Sequence, residues 1–212
     1  MDFECEMLAL GRGDGRWFIH PKFYDSSGIV YSFGVGKDIS FDLELIKRYN
    51  FEVHAFDPTP TSIRWLAEQS LPPGFHFHTY GLADYDGTAE FVLPANHSVS
   101  FTMLDTQGGG ELVQGEVLKL STIRQQLGHE KIDICKMDIE GAEYGVIDDI
   151  IEQREYIDQL LIEFHHRLID GSQGLEMTKK AVARLNGAGF FLVHVSRGLE
   201  FSFLRDPGRQ FS

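Results

Sequence analysis

The 212-residue chain is short of several things, and each shortage removes a class of explanation. Cysteine occurs only as Cys5 and Cys135, too few and too far apart for a disulfide framework or a thiolate zinc site. Both read as free thiols, with Cys135 a small core residue. No apolar run approaches the roughly 20 residues that cross a bilayer, and the opening Met1-Asp2-Phe3-Glu4-Cys5-Glu6 is acidic, unlike a secretory leader. A soluble, cytoplasmic protein is expected. Positive charge is scarce too, with 19 Lys plus Arg against 32 Asp plus Glu, a formal net charge of −13 and no basic run. A negative surface repels phosphate, so neither nucleic acid nor a membrane is an expected partner. A small-molecule acceptor suits the charge better, and a homo-oligomer stays open.

What is present points to a folded enzyme-like core. The chain is 42% hydrophobic and 12% aromatic, enough to fill one domain of this length. Residues 1–27 lack periodicity and read as an N-terminal lead-in or cap, with a short strand or cap at Trp17-Phe18-Ile19; residues 28–212 read as the domain. Within it, apolar strand runs alternate with helical patterns. Strands are predicted at Ile29–Phe33, Phe51–Phe56, Phe75–Ala83, Thr88–Leu93, Gln114–Leu120, Lys131–Met137 and Gln159–Phe164. Helices are predicted from Ile39 to about Arg48, around Ile63–Leu66, after the capping-box spacing Thr122-Ile123-Arg124-Gln125, over Ala142–Gln153 and over Leu175–Leu185. Phe190–Val195 and Glu200–Leu204 read as a closing hairpin. This order implies an α/β fold with a mostly parallel sheet covered on both faces. The polar segment Asn96–Gly110 is the expected mobile loop.

In such a sheet the ligand crevice lies at the carboxyl ends of the strands. The first predicted strand ends in Ser32-Phe33-Gly34-Val35-Gly36-Lys37-Asp38, a Gly-x-Gly turn that lets a ligand approach the main chain. Asp57 ends the second, 23 residues after Gly34, the spacing at which a carboxylate meets ribose hydroxyls in nucleoside-binding folds. Its alternative role is to cap the helix after Pro58. A dinucleotide fingerprint needs a third glycine where Ile39 stands, and Gly36-Lys37 is followed by Asp38 rather than the Ser or Thr of a P-loop. A nucleoside cofactor without phosphates remains, and S-adenosylmethionine is the obvious one.

Two further strand ends carry chemistry. Asp138 is followed by Glu140 and Glu143, which share a face if a helix starts there, either one then a first-turn carboxylate. Glu163-Phe164-His165-His166 brings a carboxylate and imidazoles to the same edge. His165 is a candidate general base; alternatively Asp138, Glu163 and His165 hold a divalent metal, the less favoured reading. Phe33 and Phe164 are candidates to line the crevice, while Phe41 and Trp65 read as packing. His97 lies in the polar loop. His54, His76, His78 and His194 fall within strands in no ligand-like constellation and read as structural.

Three segments, Ile29–Phe41, Val53–Pro58 and Lys136-Met137-Asp138-Ile139-Glu140-Gly141-Ala142-Glu143, resemble the FkbM-type branch of the class I S-adenosylmethionine-dependent methyltransferases. The resemblance spans about Gly28 to Arg205. It implies a Rossmann-like, seven-stranded sheet with an antiparallel C-terminal hairpin. It further implies that Gly34 and Gly36 wrap the methionine portion of the cofactor, Asp57 holds the ribose and Gly81-Leu82-Ala83-Asp84 lies near the adenine, with Phe33, Asp38 and Pro58 also among the cofactor-binding residues. Asp138 would face the methyl group. The family's acidic residue before the glycine turn is Ser32 here, and its third glycine is Asp38, so Asp38 and Asp138 are the candidates for the cofactor's ammonium group. O-methylation of a sugar or other small metabolite is the implied reaction. A non-catalytic binding module of the same fold, and a nicotinamide-dependent oxidoreductase, are the competing readings.

Overall fold

The structure is a computed structural model that describes residues 5–21, 27–93, 111–169 and 172–205. The predicted loop Asn96–Gly110, with His97, lies outside the described residues.

Strands β3 (Ile29–Phe33), β4 (Glu52–Phe56), β5 (Phe75–His78), β9 (Ile132–Met137), β10 (Ile157–Glu163), β11 (Phe190–Ser196) and β12 (Glu200–Arg205) form one sheet in the order β11-β12-β10-β9-β3-β4-β5. Neighbours run parallel except β12, which is antiparallel to both β10 and β11. Parallel strands are covered on both faces, so β9 and β10 read as almost unbroken buried runs. Alternation along each strand divides the core. Tyr31, Phe33, Cys135, Met137, Leu160 and Ile162 pack against α3 (Leu120–Leu127), α4 (Glu143–Glu152) and α5 (Gln173–Gly187). Val30, Val53, Ala55, Ile134 and Leu161 pack against α1 (Ser40–Tyr49) and α2 (Pro60–Ala67).

The lead-in is built into the second layer. Strands β1 (Leu8–Leu10) and β2 (Trp17–Ile19) pair antiparallel, and Leu10, Trp17 and Ile19 enter the core beneath α1. The Gln159 side-chain amide accepts from His20 N at 3.0 Å and donates to His20 O at 2.8 Å. The Ser202 hydroxyl donates to Phe18 O, and Gly11 N donates to the Glu44 carboxylate.

Two sequence expectations change. The predicted strand Phe75–Ala83 breaks after His78: β6 (Gly81–Leu82) leaves the main sheet to pair with β8 (Glu111–Leu118), whose other neighbour is β7 (Gly87–Leu93). Gly81 passes close to Pro58, where a Cβ would meet the ring at 3.1 Å. The helix expected after a capping box at Thr122 starts at Leu120 instead, with no side-chain cap of its own. Its free amides are met from elsewhere: Asp86 accepts from Lys119 N and the Thr122 hydroxyl, and Asp149 accepts from Ser121 N.

Candidate functional site

β3 and β9 are adjacent in the sheet, and the chain leaves them toward opposite flanks. At this switch point, at the strands' carboxyl ends, lies a cavity of about 490 Å³. Phe33, Gly34, Gly36, Asp38, Asp57, Pro58, Leu82, Asp138, Glu163 and His165 all line it. Ala83 does not: it is buried in the side sheet with Phe91 and Val117. Phe164 also turns inward, between Tyr144 and Phe201, whereas Phe41, expected only to pack, contributes to the wall.

The glycine turn is shaped from both sides. Gly34 and Gly36 have φ of +76° and +56°, and a Cβ on Gly34 would overlap the Asp138 carbonyl. Buried Asp57 clamps the turn to the start of α2. Its Oδ2 accepts from Val35 N (3.1 Å), Gly36 N (3.0 Å) and the Ser62 hydroxyl (2.8 Å); its Oδ1 accepts from Thr59 N (2.9 Å) and the Thr59 hydroxyl (2.6 Å). Five donors fill a carboxylate that has about four lone-pair sites. The capping alternative for Asp57 is therefore present in the structure, extended to the glycine turn.

Beneath the turn sits a polar corner that sequence reasoning missed. Strand alternation sends Ser32 and Lys136 toward α1. Lys136 Nζ donates to Gly34 O at 2.7 Å and stands 5.2 Å from the Trp17 ring centroid. Asp42, in the first turn of α1, is 3% exposed, lines the cavity, and keeps Oδ1 without a hydrogen-bond partner among the described residues. Burial raises its pKa to about 6, with Lys136 and Ser32 pulling the other way. Its sequence signal was faint: one acid beside Phe41 where the apolar helix face should run.

At the opposite wall the Lys-x-Asp-x-Glu-Gly-x-Glu segment forms a tight loop. Glu140 and Gly141 adopt φ of +53° and +102°, so α4 begins only at Glu143 and the two glutamates do not share a helix face. Fully buried Glu143 accepts from Ile139 N and Gly141 N, both near 3 Å, and from His165 Nδ1 at 2.8 Å. His165 Nε2 then lies 3.4 Å from Glu140, 3.6 Å from Asp138 and 3.9 Å from Glu163. Burial alone would lower the His165 pKa, but the bond and charge of Glu143, with Glu140 and Asp138, raise it to about 9. These carboxylates favour the protonated imidazole near neutral pH, which makes Glu163 the better-suited base of the two. Burial and the Asp138 charge raise Glu163 to about 7, and burial raises Asp138. Asp138, Glu163 and His165 also present ligand atoms within 4.8 Å of one another.

The sheet order, the glycine turn at the switch point and this carboxylate loop define a Rossmann-like fold of the class I methyltransferase type. A family model described as the methyltransferase FkbM domain matches residues 29–192, and the chain belongs to that family. The human and rat proteins named probable methyltransferase-like protein 24 are each 29% identical to it, over 154 and 140 residues, or 72% and 64% of this chain. Those stretches are 36% and 32% of the relatives, so the chain spans about a third of their length. The Methanococcus jannaschii fibrillarin pre-rRNA processing protein superposes with a TM-score of 0.50 at 12% identity, covering 97% of this chain and 84% of that one, a likeness of fold alone. No helix among the described residues is long and apolar enough to cross a membrane.

Proposed function

We propose that this chain is an S-adenosylmethionine-dependent methyltransferase acting on a hydroxyl of a sugar or other small metabolite. The observation that carries the reading is Asp42, a buried carboxylate in the cavity lining beside the glycine turn, whose Oδ1 has no hydrogen-bond partner among the described residues. An orphaned buried acceptor is costly unless a donor meets it, and an α-ammonium group is a donor of the right charge. Asp42 thus supplies from α1 the carboxylate missing at Ser32, ahead of the earlier candidates Asp38 and Asp138. Gly34 and Gly36 leave room for the methionine portion. Pro58, Leu82 and Phe91 offer an apolar wall to the adenine. Asp57 is assigned first to holding the turn; a ribose contact requires the Thr59 or Ser62 hydroxyl to rotate away.

When bound, the cofactor supplies a methyl group on a cationic sulfur that departs as a neutral thioether. The carboxylates of Asp138, Glu140 and Glu163 give the mouth a negative potential that favours that cation. Glu163 would take the proton of the acceptor hydroxyl when the cofactor's methyl group is transferred to it, its raised pKa suiting a base near neutrality. Protonated His165, fixed by Glu143, holds Asp138, Glu140 and Glu163 together.

Calorimetric titration with S-adenosylhomocysteine tests the cofactor assignment. Binding should occur, and Asp42→Asn should weaken it about tenfold or more, the cost of one charged hydrogen bond. Binding of NAD in place of S-adenosylhomocysteine, or an unchanged affinity in Asp42→Asn, would overturn it.

A further inference from the structure

Away from the pocket, the β4–β5 pair gathers histidines that the sequence scattered. The parallel register sets His54 directly beside His76, with their rings 4.8 Å apart, and His78 two residues further along β5. Glu52 shares the face of His54, two residues earlier on β4. His129, after α3, closes the group edge-on, 4.6 Å from the His54 ring centroid. The expectation of no ligand-like constellation is thereby corrected, because strand register is a tertiary property.

We propose that Glu52, His54 and His76 form a site for a divalent transition-metal ion of the Zn²⁺ class at this end of the sheet, with His129 beside His54. The ligand atoms of Glu52, His54 and His76 lie within 4.8 Å of one another. Two ligands on one tetrahedral zinc are about 3.3 Å apart, so small side-chain rotations bring them onto an ion. The second observation is His54 Nε2, which is buried, on a residue 8% exposed, and has no hydrogen-bond partner among the described residues. His54 Nδ1 is 3.0 Å from His78 Nε2. When Nδ1–H donates there, Nε2 carries an unmet lone pair, the arrangement that an outer-shell partner imposes on a metal-binding imidazole. His129 meets the Tyr31 hydroxyl through Nδ1, leaving Nε2 as the available nitrogen.

The outer members give an entry path, since the Glu52 and His76 side chains are 59% and 40% exposed. A nitrogen-rich set with one carboxylate suits Zn²⁺, Ni²⁺ or Cu²⁺ rather than Mg²⁺ or Ca²⁺, which want oxygen. Glu52 opens β4 while Asp57 follows its far end, so the ligands stand roughly 10–17 Å along the strand from the glycine turn. Its role is to fasten β5, the sheet's outermost strand, to β4.

The test uses tag-free protein, stripped with chelator and titrated with Zn²⁺, and with Co²⁺ for its visible absorption. One ion per chain should bind, with Mg²⁺ failing to compete. His54→Gln and His76→Gln should each weaken binding by more than the roughly 10–100-fold expected of the outer-shell variant His78→Gln. Glu52→Gln alters an exposed side chain that folding does not need, and should also weaken binding by about tenfold or more. Absence of Zn²⁺ binding by the folded chain would overturn the proposal. So would binding that survives Glu52→Gln and His54→Gln, or binding lost instead in His165→Gln, which would put the ion in the pocket.

Discussion

Replacing Asp57 by Asn separates a carboxylate that shapes the protein from one that serves only the cofactor. The substitution keeps size and shape but turns one acceptor oxygen into a two-proton donor. Its best orientation keeps the carbonyl toward Val35 N, Gly36 N and the Ser62 hydroxyl, the three donors now at Oδ2. The new NH₂ then faces Thr59 N, which sits 2.9 Å from Oδ1. Two N–H groups oppose each other, and the Thr59 amide loses its acceptor in a buried position. That penalty is about 1–3 kcal/mol, and the remaining bonds lose their charge assistance, for a total of about 3 kcal/mol. Domains of this kind are stable by about 5–15 kcal/mol, so the variant should still fold. Urea unfolding at pH 7 without cofactor, followed by the fluorescence of Trp17 and Trp65, measures the change as a lower midpoint at constant slope. Ser62→Ala, which removes one of the five donors, should cost only about 1 kcal/mol. A stability for Asp57→Asn within about 0.5 kcal/mol of the parent would refute the clamp and return Asp57 to the ribose alone.

Further outcomes follow from the acid loop. The raised pKa of His165 means that its stabilising contribution is complete below pH 6.5 and lost as pH rises through about 9. The shift is worth about 3 kcal/mol for a side chain only 13% exposed. Unfolding free energies should therefore fall between pH 6.5 and 9, and His165→Gln should flatten that fall; an equally steep decline in the variant would show another group responsible. Once an acceptor is in hand, turnover should rise with pH through about 7 as Glu163 ionises, and Glu163→Gln should lose turnover while keeping S-adenosylhomocysteine affinity. Activity abolished by chelation and restored by a divalent ion, in Glu52→Gln as in the parent, would instead favour metal ligation by Asp138, Glu163 and His165.

The alternation of strands and helices, the glycine turn and the Lys136–Glu143 segment were legible in the chain because each is local. Period-2 and period-3.6 patterns and a run of eight residues carry their meaning within one window. The same locality explains the misses. Asp42 looks like one more helix-surface acid until α1 is laid against β3, where Ser32 and Lys136 enclose it. His165 looks like an ordinary base until Glu143 reaches back through the left-handed Glu140-Gly141 turn and holds its proton.

Periodicity and motif by themselves determined the fold class, the crevice and part of its lining, because apolar periodicity fixes which faces must be buried and strand ends must meet at one edge. Tertiary structure alone decided pairing and convergence: that Asp57 spends both oxygens within the protein, that His165 is bound by Glu143 among three further carboxylates, and that four histidines separated by up to 75 residues meet on one sheet face. Those properties depend on distance and burial, which strand register and helix packing create only in the folded chain.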